Sequence, residues 1–245
     1  MNTGAPFDGK VDCGAYANLD GLAAATFFMR LRRDTGAPGL CIFMGERGAA
    51  GTFPNWVFFT DNATGRMRFS AFSAALDGIV SLSPVGSHVL GALETWAFAY
   101  DLAAGTWFKS GAPVVTTNTP SGAGWPAFVA CPANLIHGAE TAVAVGAPPN
   151  FAGCMFDMAI YTGVRLTDPV IADASAIIAA GGDIATSLAG PPTNYWRHAG
   201  GSLLDTGTGP LAHGTAIGNV VGSCPGAGLV AVPVDSDFTL EVRRA

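Results

Sequence analysis

The feature that most constrains this chain is a period of two that returns in short, punctuated runs. Residues 26–32 (TFFMRLR) alternate Phe27, Met29 and Leu31 against Phe28, Arg30 and Arg32. Residues 154–161 alternate Cys154, Phe156, Met158 and Ile160 against Met155, Asp157, Ala159 and Tyr161. A strand turns successive side chains to opposite faces, so each run predicts a strand with one face in a core. Shorter runs of the same texture occupy 40–45, 94–101, 105–114 and 141–147, separated by Gly, Pro and Asn. Residues 55–73 (NWVFFTDNATGRMRFSAFS) predict a hairpin, with Gly65 placed for a left-handed turn position. One segment alone carries a helical stripe: Val170, Ile171, Ala174, Ile177 and Ile178. Thr167 is its N-cap, Asp168-Pro169 its first turn and Gly181-Gly182 its stop. Many short strands and a single helix predict an all-β protein. The expected fold is an antiparallel β-sandwich over residues 1–182, with one short helix after the last long strand.

Residues 183–245 read as a β-rich C-terminal extension and arm that completes the sandwich or contacts a neighbour. Its last strand pattern sets Phe238, Leu240 and Val242 against Thr239, Glu241 and Arg243. A terminal strand with one apolar face closes its own sheet or pairs with another chain's edge, so these three are the candidate assembly residues.

Composition narrows the function. Hydrophobic residues make up 49% of the 245, enough for a sizeable core, while charged residues are only 12%, about half the usual share of roughly 25%. Two readings fit: a Gly/Ala-rich composition that dilutes charge, or a surface that faces other subunits. The net charge of −6 and the lack of any long basic run argue against nucleic acid. No stretch is apolar enough to span a bilayer, and the start (MNTGAPFDGK) has no signal-peptide pattern. Five widely spaced cysteines, Cys13, Cys41, Cys131, Cys154 and Cys224, without a C-x-x-C pair, predict buried free thiols.

Four segments then resemble the laminin-G-like branch of the concanavalin-A-like jelly rolls, in family order, over roughly residues 7–180. They are FDGKVDCGAYANLDGLAAATFFMRLR, NWVFFTDNATGRMRFS, ETWAFAYDLAAGTWFKSGAPV and VGAPPNFAGCMFDMAIYTGVRLTDPVI. The last is similar to the closing strand and helix start of the family, except that Val170 stands where an acidic residue is usual. NYWRHAGGSLLDTGTGPLAHG resembles a strand pair that borders such domains in bacteriophage proteins.

The resemblance implies lectin-like binding or glycoside hydrolysis, and a rim calcium site in some members. Hydrolysis needs two carboxylates at a set distance. The four glutamates, Glu46, Glu94, Glu140 and Glu241, lack the acidic neighbours of the related glucanase pattern. No G-x-S-x-G elbow accompanies His88, His137, His198 or His213, which are expected as surface histidines. GERGAAG (45–51) lacks a phosphate-loop ending and is expected as a plain loop. For calcium, the candidate oxygen ligands are Asp61, Asn62 and Asp101, each of which also suits a turn. For sugar stacking, Trp107 and Trp125, in Gly/Pro-rich surroundings, are the candidate exposed platforms, while Trp56 and Trp96 are expected in the core.

Together these features point first to a non-enzymatic virion structural protein of a tailed bacteriophage, a capsid decoration or tail-fibre component made in the host cytoplasm. Its partners would be copies of itself, other virion proteins or a surface glycan. The alternative is a stand-alone carbohydrate-binding module with or without calcium, and a glycoside hydrolase comes last.

Overall fold

The computed structural model describes residues 8–33, 39–47, 53–61, 63–102, 104–125, 127–138, 151, 153–198 and 204–219. The strands are β1 (Asp8–Asp12), β2 (Ala24–Arg33), β3 (Leu40–Glu46), β4 (Asn55–Asp61), β5 (Arg66–Phe72), β6 (Gly78–Leu82) and β7 (Leu93–Asp101). They continue as β8 (Ala104–Lys109), β9 (Ala112–Pro113), β10 (Thr117–Ser121), β11 (Leu135–His137) and β12 (Gly153–Thr162). Helix α1 (Asp168–Ala179) follows, then β13 (Asn194–Arg197) and β14 (Thr215–Asn219). One sheet has eight strands in the order β10-β6-β5-β4-β3-β11-β1-β14, and the other has six, β13-β12-β2-β7-β8-β9. The strands pair antiparallel within both sheets. The chain is therefore the expected antiparallel β-sandwich of jelly-roll type, with its helix after the last long strand. β13 lies beside β12 and β14 beside β1, so part of the 183–245 extension belongs to the two sheets. Phe238, Leu240 and Val242 lie outside the described residues.

Between the sheets the core is aromatic. Phe69 sits 4.7 Å from Phe98 and 4.8 Å from Phe58, and Phe98 sits 4.8 Å from Trp107. Each such ring removes roughly 150–250 Å² from water, and this layer carries much of the folding free energy.

The alternation in β12 is corrected at one point. A bulge between Met155 and Asp157 shifts its register against β2. Met155 thus pairs with core-facing Leu31 and packs on the core beside Met158 and Ile160, while Cys154 pairs with Arg32 on the outer face. An inserted residue reverses the facing of everything before it, which a strict period of two cannot register.

Helix α1 lies on the outer face of the six-stranded sheet. Its Ile171, Ala174 and Ile178 form a second core with Phe28, Ala97, Ala99, Phe108, Ala159, Tyr161 and Tyr195. The three alanines leave room for the helix to approach the sheet. Thr167 occupies the N-cap, yet its side chain makes no capping hydrogen bond, consistent with the missing acidic partner at Val170.

Cys13, Cys41 and Cys131 are free thiols, as expected, but Cys154 is disulfide-bonded, against expectation. The Asp205-Thr206-Gly207 turn is organised by its carboxylate, which accepts the backbone N–H groups of Tyr195 (2.8 Å), Gly207 (2.9 Å) and Ala212 (2.9 Å) and the Asn194 side-chain amide.

Candidate functional site: the outer face of the eight-stranded sheet

The calcium candidates are not brought together. Asp61 closes the β4–β5 hairpin: Ala63 N–H donates to its Oδ1 (3.0 Å) and the Thr64 hydroxyl to its Oδ2 (2.7 Å). Asn62 lies outside the described residues. Arg33 Nη1 donates to Thr60 O (3.1 Å), and Arg32 pairs with Leu93, so this hairpin tip is level with the start of β7. Asp101 ends β7, roughly 26 Å along the strand at about 3.3 Å per residue. Among the described residues no three His, Cys, Asp or Glu side chains gather. Asp61 and Asp101 therefore do not fit one calcium ion, and Asp61 does turn chemistry.

The stacking candidates are corrected outright. Trp107 is 0% exposed and Trp125 1%. Trp107 lies among Phe58, Phe98 and Trp96, and its indole N–H donates to Ser81 O (3.3 Å). The neighbouring glycine that suggested a loop serves packing instead: a Cβ at Gly105 would stand 2.2 Å from the Phe98 ring. Trp125 plugs one end of the core, edge-on to Phe128 at 6.1 Å. Trp56 and Trp96 are buried as expected. His88 and His137, expected at the surface, are also buried.

Two buried carboxylates have their own counter-charges beside them. Glu94 takes hydrogen bonds from His88 Nδ1 (2.6 Å) and Trp96 Nε1 (3.0 Å) and pairs with Lys109 (2.7 Å). Burial raises this carboxyl, but those donors outweigh it and hold Glu94 below the usual carboxylate range. Asp157, on the outer face of the six-stranded sheet, accepts the Tyr195 hydroxyl (2.9 Å) and lies between Arg30 (3.7 Å) and Arg197 (3.8 Å). Burial still raises its carboxyl above the usual range, against those three partners.

A third group is mostly cationic, three arginines with Asp61 beside them. Phe59 pairs with Arg68 across the β4–β5 hairpin, and Asp61 with Arg66, which sets Phe59, Arg66 and Arg68 on the outer face of the eight-stranded sheet. Phe59 belongs to a small apolar cluster there with Ile42 and Val57. The Arg68 guanidinium lies 5.3 Å from the Phe59 ring centroid and that of Arg47 5.5 Å. Burial lowers the Arg68 pKa, and repulsion from Arg47 lowers it further, with Asp61 acting the other way. Arg68 Nε donates to Ser70 Oγ (2.8 Å), while the buried Arg66 Nε has no partner. Helix α1 packs on β2, β7 and β9 of the other sheet, and among the described residues no helix covers this face. Sequence reasoning passed over these arginines because Arg47 lies far along the chain from Arg66 and Arg68. The available signal was hairpin register: RMRF sets Arg66 and Arg68 on one side, opposite Asp61 and Phe59.

Chemically this face offers an aromatic floor and several guanidinium forks. Guanidinium donors match the paired oxygens of a carboxylate, sulfate or phosphate. An anion placed between Arg47 and Arg68 would also relieve their mutual repulsion.

No known family and no curated protein matches this sequence. Its fold is similar to several solved structures. One is a heptameric SAP-like pentraxin from Limulus polyphemus, at 9% identity over 71% of this chain and 78% of that one, with a TM-score of 0.45. Another is the CBM40 of the Ruminococcus gnavus IT-sialidase bound to α2,3 sialyllactose, at 12% identity over 70% and 95%, with a TM-score of 0.47. A third is a mutant NanB sialidase of Streptococcus pneumoniae, at 16% identity over 70% of this chain but 27% of that one, with a TM-score of 0.49. At these identities and TM-scores no ligand or activity passes to this chain.

Proposed function

We propose that this chain is a non-catalytic glycan-binding module whose ligand is an acidic oligosaccharide, held on the outer face of the eight-stranded sheet. The observation behind this reading is the pair of guanidiniums, Arg47 and Arg68, over the single Phe59 ring, with Arg66 beside them. Three of the ten arginines of a chain with net charge −6 share this face. Arg68 would clasp the anionic group and Arg66 its second oxygen, while Phe59 and the Arg47 stem form the floor. This reading calls on no calcium, and both Asp61 oxygens accept bonds within their own turn.

A virion role, with Phe238, Leu240 and Val242 in assembly, draws on a segment outside the described residues, and nothing among those residues favours it over glycan binding.

The test is calorimetric titration with a carboxylated or sulfated oligosaccharide and its neutral counterpart, on the wild type and on Arg68→Met. The acidic ligand alone should bind, and R68M should weaken it about tenfold or more at low salt, the loss of one charge-assisted contact. Equal binding of both ligands, or an unchanged R68M, would remove the proposal.

A further inference from the structure

One end of the sandwich is shut by residues 127–131, a surface segment that drives one aromatic ring inward. The Phe128 ring packs against Tyr100 (5.7 Å), Trp56 (6.1 Å) and Trp125 (6.1 Å). Two backbone bonds clasp it: Gly21 N–H donates to Phe128 O (2.8 Å) and Phe128 N–H to Leu22 O (2.9 Å). The next residues, Val129 and Ala130, are exposed.

Glu46, the last residue of β3, lies at the same end. It is 1% exposed; its Oε2 accepts the Trp56 indole N–H, and its Oε1 has no partner. The buried Trp125 Nε1 and Tyr100 hydroxyl at this end are also without partners. The titratable groups that face Glu46 are Asp20 from the 18–22 turn, Tyr16 from the segment after β1, and Cys131 from the 127–131 segment itself. None of them is a cation. Burial pushes the Glu46 carboxyl up to about 8; the Trp56 bond lowers it, and Asp20 raises it.

We propose that residues 127–131 are a lid, latched over the aromatic interior while Glu46 is neutral and released when Glu46 ionises. A neutral carboxyl tolerates a dry site with one donor, whereas a carboxylate there lacks both a cation and a second donor. Water is the partner nearest to hand for Oε1, and the 127–131 segment, whose Cys131 faces Glu46, closes this end of the core against it. The new charge also repels Asp20, which belongs to the turn whose Gly21 and Leu22 hold Phe128. Release would bare Trp56, Trp125 and Tyr100 to solvent at the end of the sandwich. Glu46 is the chain neighbour of Arg47, but the two turn to opposite sides: Glu46 meets the buried Trp56 indole, whereas Arg47 lies on the Phe59 ring at the outer face.

The experiment is indole fluorescence and hydrogen exchange of the full chain between about pH 6 and pH 10, with exchange corrected for its intrinsic pH dependence. The wild type should show a red shift and faster exchange at Gly21 and Phe128 as pH rises, with a midpoint no higher than about 8, the value of the carboxyl in the closed form. Glu46→Gln, which cannot ionise, should stay shut throughout. Asp20→Asn removes the like charge and should move the midpoint down. A wild type without a transition, or a transition that persists in E46Q, overturns the lid. Should E46Q fail to fold, D20N decides: a lower midpoint supports the latch, and an unmoved one overturns it.

Discussion

The two outer faces of this sandwich are built from the same alternating strands and end in opposite conditions. On the six-stranded sheet, helix α1 covers Phe28, Ala97, Ala99 and Ala159, and the charge left beside it is balanced, with Asp157 between Arg30 and Arg197. On the eight-stranded sheet, Phe59 clusters with Ile42 and Val57, and two guanidiniums of like charge share its ring. The first face is arranged for stability. The second keeps cations close together at some electrostatic cost, and that is what a site for an anion requires.

The contrast is sharpest in apolar truncation. Ile178→Ala under the helix should cost about 2–5 kcal/mol by the cavity it leaves, and acidic-glycan affinity should not change once the protein is folded. Urea melts and calorimetry on one preparation check both halves, and a loss of affinity in a folded I178A would blur the division of labour between the faces.

Acid should act oppositely on the two sheets. His137, 0% exposed in β11 of the larger sheet, is pushed well below the ordinary histidine range by burial and then by His198. Its folded pKa is lower than its unfolded value of about 6.5, so the unfolded chain binds the extra proton. Stability is therefore lost as pH falls through the unfolded value, by up to about 1.4 kcal/mol per pH unit. Asp157 in the smaller sheet has a raised folded pKa. Its contribution is fully present below the unfolded value of about 3.9 and is lost as pH rises through the folded one. Denaturant midpoints at a series of pH values, for the wild type and His137→Phe, separate the two: H137F should flatten the slope between about pH 5 and 7.

Removing a charge should also have unlike results. Asp157→Asn leaves Arg30 and Arg197 without their carboxylate and Tyr195 with a poorer acceptor. Since Arg197 is 40% exposed and the neutral amide escapes the burial cost that raises the Asp157 carboxyl, the loss is largely offset and stays below about 1 kcal/mol by thermal melting. Arg68→Met should change stability least, within about 0.5 kcal/mol, because relief of repulsion from Arg47 offsets the lost contacts to Phe59 and Ser70. A large destabilisation by R68M would mean that the arginines hold the sheet together and are not kept for a ligand.

Much of the fold was legible along the chain. The β4–β5 hairpin followed from two alternating runs around Asp61 and Gly65, and it forms with Gly65 at φ 59°. The helix followed from its stripe and its stop: Ile171, Ala174 and Ile178 are buried, and Gly181 takes φ 76° just past the end. The candidate site was far less legible. Gly/Pro-rich flanks suggested exposure for Trp107 and Trp125, yet a glycine beside a tryptophan equally marks two chains pressed together, as at Gly105. RMRF marked Arg66 and Arg68 as sharing a face, but Arg47 carried no local signal, since it meets Arg68 only through the pairing of three strands.

What the sequence determined by itself is therefore local: where the chain runs as strand, where it turns, and where the one helix begins and stops. Side-chain period and turn chemistry act over a few residues, and those residues are adjacent in the chain. Which outer face the helix covers, which tryptophans end inside, and which cations gather on Phe59 were decided only by tertiary structure. Those outcomes depend on strand order and on single-residue bulges such as the one at Met155–Asp157, and an alternating pattern assigns two faces to a strand without saying what will come to lie on either.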